Sequence, residues 1–316
     1  MNRRDLLLAL GAAGALAAAD TTLAQPTRRP RLWLGIQFFT IVGNGATVGW
    51  QKYSDYFGQI RQIGYDGVEL AGFSGYQPDA IRKRAESAGL EIPSVHIGFD
   101  QVFDFLPPRP WGPDTFSQAQ DVVYSPAGVV QLARLLCGPT RDVGASFAVI
   151  AGGGRANFAT VDSTLRFADA LNQANDIALS KGVALSWHPH AVEWTPSYGG
   201  QTPFELIVQH TDPSIRYELD IYWSAAGSKQ APQDTIRRDA SRLALFHLKD
   251  MARDHSIATP GDGTFDFAAI ERAIQADIQP PRYCYVERDG ANEHDPIGTA
   301  HRAYQYLQRL GFGLRS

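Results

Sequence analysis

The chain has only two cysteines and two methionines in 316 residues. Cys137 and Cys284 are too far apart in sequence to suggest a disulfide framework, and neither has the close spacing of a thiolate metal site. Cys284 lies in an apolar stretch, where a buried thiol behaves as a small hydrophobe. Positive charge is not in excess: 29 Lys and Arg against 33 Asp and Glu give a net charge of −4. No polycation is available to neutralise a phosphate backbone, so nucleic acid is not an expected partner. Beyond the first two dozen residues, no apolar run approaches the roughly twenty residues that cross a bilayer. Nucleotide fingerprints are missing as well. "PGDGTFDF" (260–267) lacks the Gly-Lys-Ser/Thr ending of a P-loop, and "GGG" (152–154) opens no dinucleotide motif. A turn with Asp262 capping the next segment is the plainer account of the former.

What the chain does have begins at its N-terminus. "MNRRDLLLALGAAGALAAADTTLAQP" carries Arg3 and Arg4, then an apolar run, then small residues. This is the layout of an export signal, and the arginine pair resembles the twin-arginine type that carries folded proteins. Cleavage after Ala19 or Ala24 fits. Residues 1–24 are therefore expected to be a cleavable signal handed to the Tat machinery, and residues 25–316 one domain. The mature protein is expected in the periplasm or secreted, with no membrane segment. The sequence sets no oligomeric state.

From residue 31 onward, strand-like and helix-like stretches alternate. "RLWLGIQFF" (31–39), "GVELAG" (67–72), "IPSVHIGF" (92–99) and "SFAVIAGGG" (146–154) are the first four strands. "VALSWHPH" (183–190), "IRYELDIYW" (215–223), "RLALFHLKDM" (242–251) and "RYCYVERD" (282–289) are the next four. Each is followed by a helical pattern; the one over 125–144 is expected to end or kink at Gly138-Pro139. Eight strand-then-helix units in about 285 residues favour a closed (β/α)8 TIM barrel over an open sheet. One connection, residues 99–125, holds four prolines and reads as a long loop hanging over the mouth where barrel active sites sit.

Polar residues cluster at the C-terminal ends of the last four strands. His188 and His190 end strand five, on one side of it because strand side chains alternate with period two. Glu218, Asp220 and Tyr222 share a face of strand six. His247 and Lys249 close strand seven, and Glu287 and Asp289 close strand eight. Ionised groups in a barrel wall cost several kcal/mol unless paired or metal-bound. One divalent cation held by His188, Asp220, His247 and Glu287 removes that cost. Two nitrogens and two carboxylates suit Mn, Zn, Fe or Co better than Ca or Mg.

At this point "GYDGVELAG", "PSVHIGFD", "WHPHAVEW", "ELDIYW", "FHLKDM", "GDGTFDFAAI" and "YVERD" matter together. In this order they resemble the sugar phosphate isomerase/epimerase family, with its xylose isomerase-like barrel. The resemblance implies one divalent metal at the mouth, on ligands that fall at His188, Asp220, His247 and Glu287. Many members have Glu where His188 stands, so a symmetric pair of metal-bound glutamates is not expected here. Glu287 is then the base that takes a proton next to a carbonyl, with His190 or Lys249 as the partner acid. His96, Glu69, Trp223 and Lys249 are the expected contacts to a sugar or polyol substrate, and Glu193 a candidate to orient one of the histidines. The expected activity is isomerisation or epimerisation of an unphosphorylated sugar. A lyase or hydrolase on an oxidised sugar (a dehydratase or keto-glycoside eliminase) and a non-catalytic sugar-binding barrel are the alternatives.

Overall fold

Eight short stretches with every residue buried or nearly so, too apolar for a one-sided sheet, form the wall that such runs demand. In the computed structural model, which describes residues 31–43, 48–107, 114–195, 197–291 and 294–313, they are β1 (Trp33–Gln37), β2 (Gly67–Glu69), β3 (Ser94–Ile97), β4 (Phe147–Ala151), β5 (Ala184–His188), β6 (Arg216–Asp220), β7 (Leu243–Leu248) and β8 (Tyr283–Val286). The sheet order is β2-β1-β8-β7-β6-β5-β4-β3, and every pairing is parallel. Between β2 and β3, Leu70 bridges Val95, and the His96 amide donates to the Leu70 carbonyl at 2.8 Å. This nearly closes the barrel. The expected export signal lies outside the described residues, and none of the described helices is long and apolar enough to cross a membrane.

Helices fill the connections, and local chemistry fixes their ends. Thr160 and Ser163 form a capping box at the start of Val161–Ser180, as Thr202 and Glu205 do for Pro203–His210. Three expectations are corrected. The helix Pro126–Asp142 does not end at Gly138-Pro139 but continues past Pro139; the bond that proline forgoes is to the carbonyl of Leu135, an exposed residue. Strand six stops at Asp220 rather than running to Trp223. Asp220 caps a new helix, Ile221–Ser228, so Tyr222 belongs to that helix and not to a strand face. Finally, Asp266 rather than Asp262 caps Phe267–Asp277, while Asp250 gathers the turn before it by accepting from the amides of Gly261, Gly263 and Phe265. Asp250 therefore faces away from Lys249.

The expected structureless connection over 99–125 is also different. It contains two helices, Phe99–Phe105 and Thr115–Val123, and Phe99, Phe103, Phe116, Ser117 and Gln120 line a cavity at the C-terminal mouth. Both cysteines are buried and free.

Candidate active site

Period-two alternation sends Glu69, His96, His188, Glu218, Asp220, His247 and Glu287 into the barrel, where they settle in two layers. The lower layer is nearly closed, with His96 and His188 edging onto the cavity. Glu69 and Glu218 are fully buried, and His96 and His188 nearly so. Glu69 Oε2 accepts from Gln37 Nε2 at 2.8 Å and lies 2.6 Å from His247 Nε2, while Ser94 Oγ donates to its Oε1. Glu218 Oε2 lies 2.8 Å from His96 Nε2 and 2.9 Å from His188 Nδ1.

Charge is balanced locally in this layer. Burial opposes ionisation of Glu69, but His96 and His247 hold its carboxyl well below the usual range. Burial and the Glu69 charge both push Glu218 up, yet His247, His96 and the contact with His188 bring it down to about 2. Burial likewise opposes a charge on His96, but Glu69 and Glu218 raise it to about 9. His188 goes the other way: burial and the neighbouring His247 cation hold it neutral.

The upper layer opens to the cavity. His247 Nδ1 lies 2.6 Å from Glu287 Oε2 and 4.0 Å from Asp220 Oδ2. Lys249 Nζ sits 3.0 Å from Asp220 Oδ2, 2.9 Å from Glu287 Oε2 and 3.2 Å from Asp289 Oδ1. Burial disfavours the Lys249 charge, but the three carboxylates keep the ammonium protonated. Burial lifts Asp220, and it opposes ionisation of Glu287 too, where Lys249 and His247 prevail and hold the carboxylate ionised. Asp220 Oδ1 is committed to the amides of Tyr222 and Trp223, at 2.8 and 3.0 Å, which aims Oδ2 inward.

Asp220, His247 and Glu287 thus form a group whose donor atoms lie within 4.8 Å of one another. Asp220 Oδ2, His247 Nδ1 and Glu287 Oε2 are buried and face one another, and their charge is met in this structure by Lys249, 3.0 Å from Asp220 Oδ2 and 2.9 Å from Glu287 Oε2. Buried, convergent polar atoms of this kind fit a cation. Nε2 of His247 faces Glu69, and a metal taking the place of the second ring proton would be met by Nδ1, the usual arrangement behind a metal-bound imidazole. A divalent metal is therefore compatible with these three residues. His188, expected as the fourth ligand, is not in this group. It belongs instead with His96, Glu218 and His247, a second set of close donor atoms in the lower layer.

The expected substrate contacts divide. His96, Trp223, Lys249, His190 and Glu287 line the cavity, whereas Glu69 does not. Glu69 is spent on Gln37, Ser94 and His247 beneath the site, so its reach is to a side chain and not to a ligand. His190 takes a ring-nitrogen hydrogen bond from the amide of Glu193, whose carboxylate accepts in return from the His190 amide. Burial and Lys249 lower His190 to about 3. A neutral imidazole that accepts at one nitrogen carries its proton on the other. Gly152, at φ +94, lets the ring come close, since a Cβ there would lie 2.7 Å from His190 Nδ1.

Glu193 is the residue whose part the sequence undervalued. It lines the cavity, is fully buried, and its Oε1 has no hydrogen-bond partner. Burial raises its carboxyl to about 8 despite two backbone hydrogen bonds. The spacing His190-x-x-Glu193, that of a capping box, was the available signal. The folded state binds a proton here that the unfolded chain releases near pH 4.5, so stability falls as pH rises from there to about 8. Glu193→Gln, neutral at every pH, is expected to melt at or above the parent temperature at pH 8, and to flatten that part of the stability profile. A variant that melts well below the parent at pH 8 and above contradicts a neutral carboxyl.

Comparison with known proteins agrees with this architecture. The profile of the "Xylose isomerase-like TIM barrel" family matches residues 57–309. The chain is 22% identical over 285 residues to an inosose dehydratase of Geobacillus kaustophilus, covering 80% of this chain and 85% of that one. Among solved structures, a sugar phosphate isomerase/epimerase of Parabacteroides distasonis superposes with a TM-score of 0.70 at 20% identity, over 88% of this chain and 98% of that one. A D-psicose 3-epimerase of Clostridium cellulolyticum superposes with a TM-score of 0.61 at 16% identity, over 89% and 100%. At these identities the structural likeness speaks for the fold alone.

Proposed function

Since the chain belongs to the xylose isomerase-like TIM barrel family, we propose that it is a divalent-metal-dependent enzyme that moves a proton next to the carbonyl of an unphosphorylated sugar or polyol, as an isomerase or epimerase. The observation that carries this reading is Glu287. Its carboxylate is held ionised inside a substrate-sized cavity, beside Asp220 and His247. Asp220, His247 and Glu287 would hold the metal, which supplies Lewis-acid polarisation of the substrate's carbonyl and acidifies the adjacent C–H. Glu287 receives that proton on its carboxylate. His190 offers a fixed N–H to a substrate oxygen, and Lys249 provides positive charge against a developing oxyanion.

Charge supports a substrate without phosphate. Lys249, Arg155 and His96, the last held between Glu69 and Glu218, are the cationic side chains lining the cavity among the described residues. Lys249 is already surrounded by three carboxylates, and Arg155 pairs with Asp114 at 3.3 Å. A phosphate dianion would find Glu287 and Asp289 instead. An exported location, expected from the N-terminal sequence, suits such a substrate.

A second reading, a lyase, is favoured by Glu193. A carboxyl kept protonated near neutrality, in the same cavity as an ionised one, is the pairing that separates acid from base. Glu287 would take the proton and Glu193 would give one to a departing oxygen. Keto-sugars incubated with the protein and a divalent metal in D2O decide between them. Deuterium uptake without change of composition supports the isomerase or epimerase. Loss of water or of an aglycone supports the lyase, and neither change overturns both.

A further inference from the structure

The cavity has two unlike halves. Its polar half is Glu287, Lys249, Asp289 and His190; the other half is a row of phenyl rings. Phe39 meets Phe99 edge-on at 5.1 Å, Phe99 meets Phe103 at 5.0 Å, and Phe103 meets Phe116 at 5.9 Å. All four line the same space, and all four are only partly buried. The row joins three separate segments: the turn after β1 and the two helices in the connection after β3.

Size says that a bare sugar leaves this half unfilled. The cavity measures about 520 Å3. A hexose has about a dozen non-hydrogen atoms; even at the roughly 30 Å3 share of a liquid water apiece, they occupy no more than about 360 Å3. The remaining volume is bordered by rings, where a hydroxyl gains nothing and an apolar group gains contact. Ser117 and Gln120 stand on the same helix as Phe116 and also line the cavity. They offer polar atoms beside the rings.

Resting on the sugar reading above, we propose that the ligand is a keto-sugar bearing an aromatic substituent, an aryl glycoside oxidised at another ring carbon, so that the carbonyl and its acidic C–H remain. Its sugar lies over Glu287 and His190, and its ring lies against Phe39, Phe99, Phe103 and Phe116. An aryl group suits this wall better than an alkyl chain because edge-to-face contact with phenyl rings adds to the burial of area. Trp223 bounds the polar half. Its ring lies 5.5 Å from that of His190, and Lys249 Nζ is 5.3 Å from its centroid.

The test is calorimetric titration of the full chain, with Mn2+ added, using matched methyl and phenyl β-glycosides of glucose, galactose and xylose. In at least one pair, the phenyl glycoside is expected to bind about tenfold more tightly than the methyl one. That ratio is expected to fall towards one in Phe103→Ala and Phe116→Ala. Phe103→Leu, which keeps apolar bulk should the alanine variants fail to fold, is expected to lose part of it. Equal affinities within every pair overturn the aryl assignment while leaving the sugar reading in place. A preference that survives all three substitutions overturns its location at this wall. Binding by no pair overturns the aryl assignment, and the D2O experiment on free keto-sugars reports separately on the sugar reading.

Discussion

Glu287→Gln is expected to abolish solvent deuterium uptake and to lower kcat by about 10²–10⁴-fold, the usual worth of a positioned general base. The amide keeps the size of the side chain and one oxygen facing Asp220 and His247, but it cannot accept a proton. Folding is expected to survive, because His247 keeps Glu69 and Glu218 as partners and Lys249 keeps Asp220 and Asp289. Rates measured with excess Mn2+ separate lost basicity from weakened metal affinity. If the variant exchanges deuterium at the parent rate under those conditions, Glu287 is not the base.

The largest effect on stability is expected at Glu69. Its two oxygens meet Gln37, Ser94, His96 and His247 in a region with no solvent access. Removing one partner of a buried charge network costs about 3–5 kcal/mol, because the other charges stay buried and uncompensated. Glu69→Gln leaves His96 facing Glu218 alone, and His247 with Glu218, Glu287 and Asp220. The dependence on pH has two limbs. Glu69, with a depressed folded pKa, contributes stability above its unfolded value of about 4.5 that is lost as pH falls through the folded one. His96, raised to about 9, contributes stability below about 6.5 that is lost as pH rises through 9. The cost of the substitution is thus expected to be greatest near pH 5–6 and to shrink towards pH 9. Denaturant unfolding across that range measures it, and a pH-independent cost would contradict the ion-pair account.

These two residues differ in how readily the sequence revealed them. Glu287 could be read because a charge at the end of an apolar strand is conspicuous, and period two gives its side. The barrel itself was legible for the same reason: eight apolar runs of strand length, each followed by a helical pattern. Glu69 was visible as a polar strand end, but its role depends on His247, 178 residues away on a strand that is not its neighbour. Alternation tells which way a side chain points and not which layer it reaches. For His188, expected as a ligand beside Asp220, alternation gave the inward side but not the contact of its Nδ1 with Glu218. The end of strand six was misplaced because "IYW" (221–223) resumes the apolar run after Asp220, and only the capping bonds of Asp220 mark the change from strand to helix.

The central claim is that Asp220, His247 and Glu287 converge on a divalent cation. Elemental analysis of the purified protein, with Asp220→Asn and His247→Gln alongside, tests it directly. Close to one Mn, Zn, Fe or Co per chain, falling sharply in both variants, is the predicted result. A parent protein that neither carries such a metal nor takes one up from excess Mn2+, Zn2+, Fe2+ or Co2+ would contradict it.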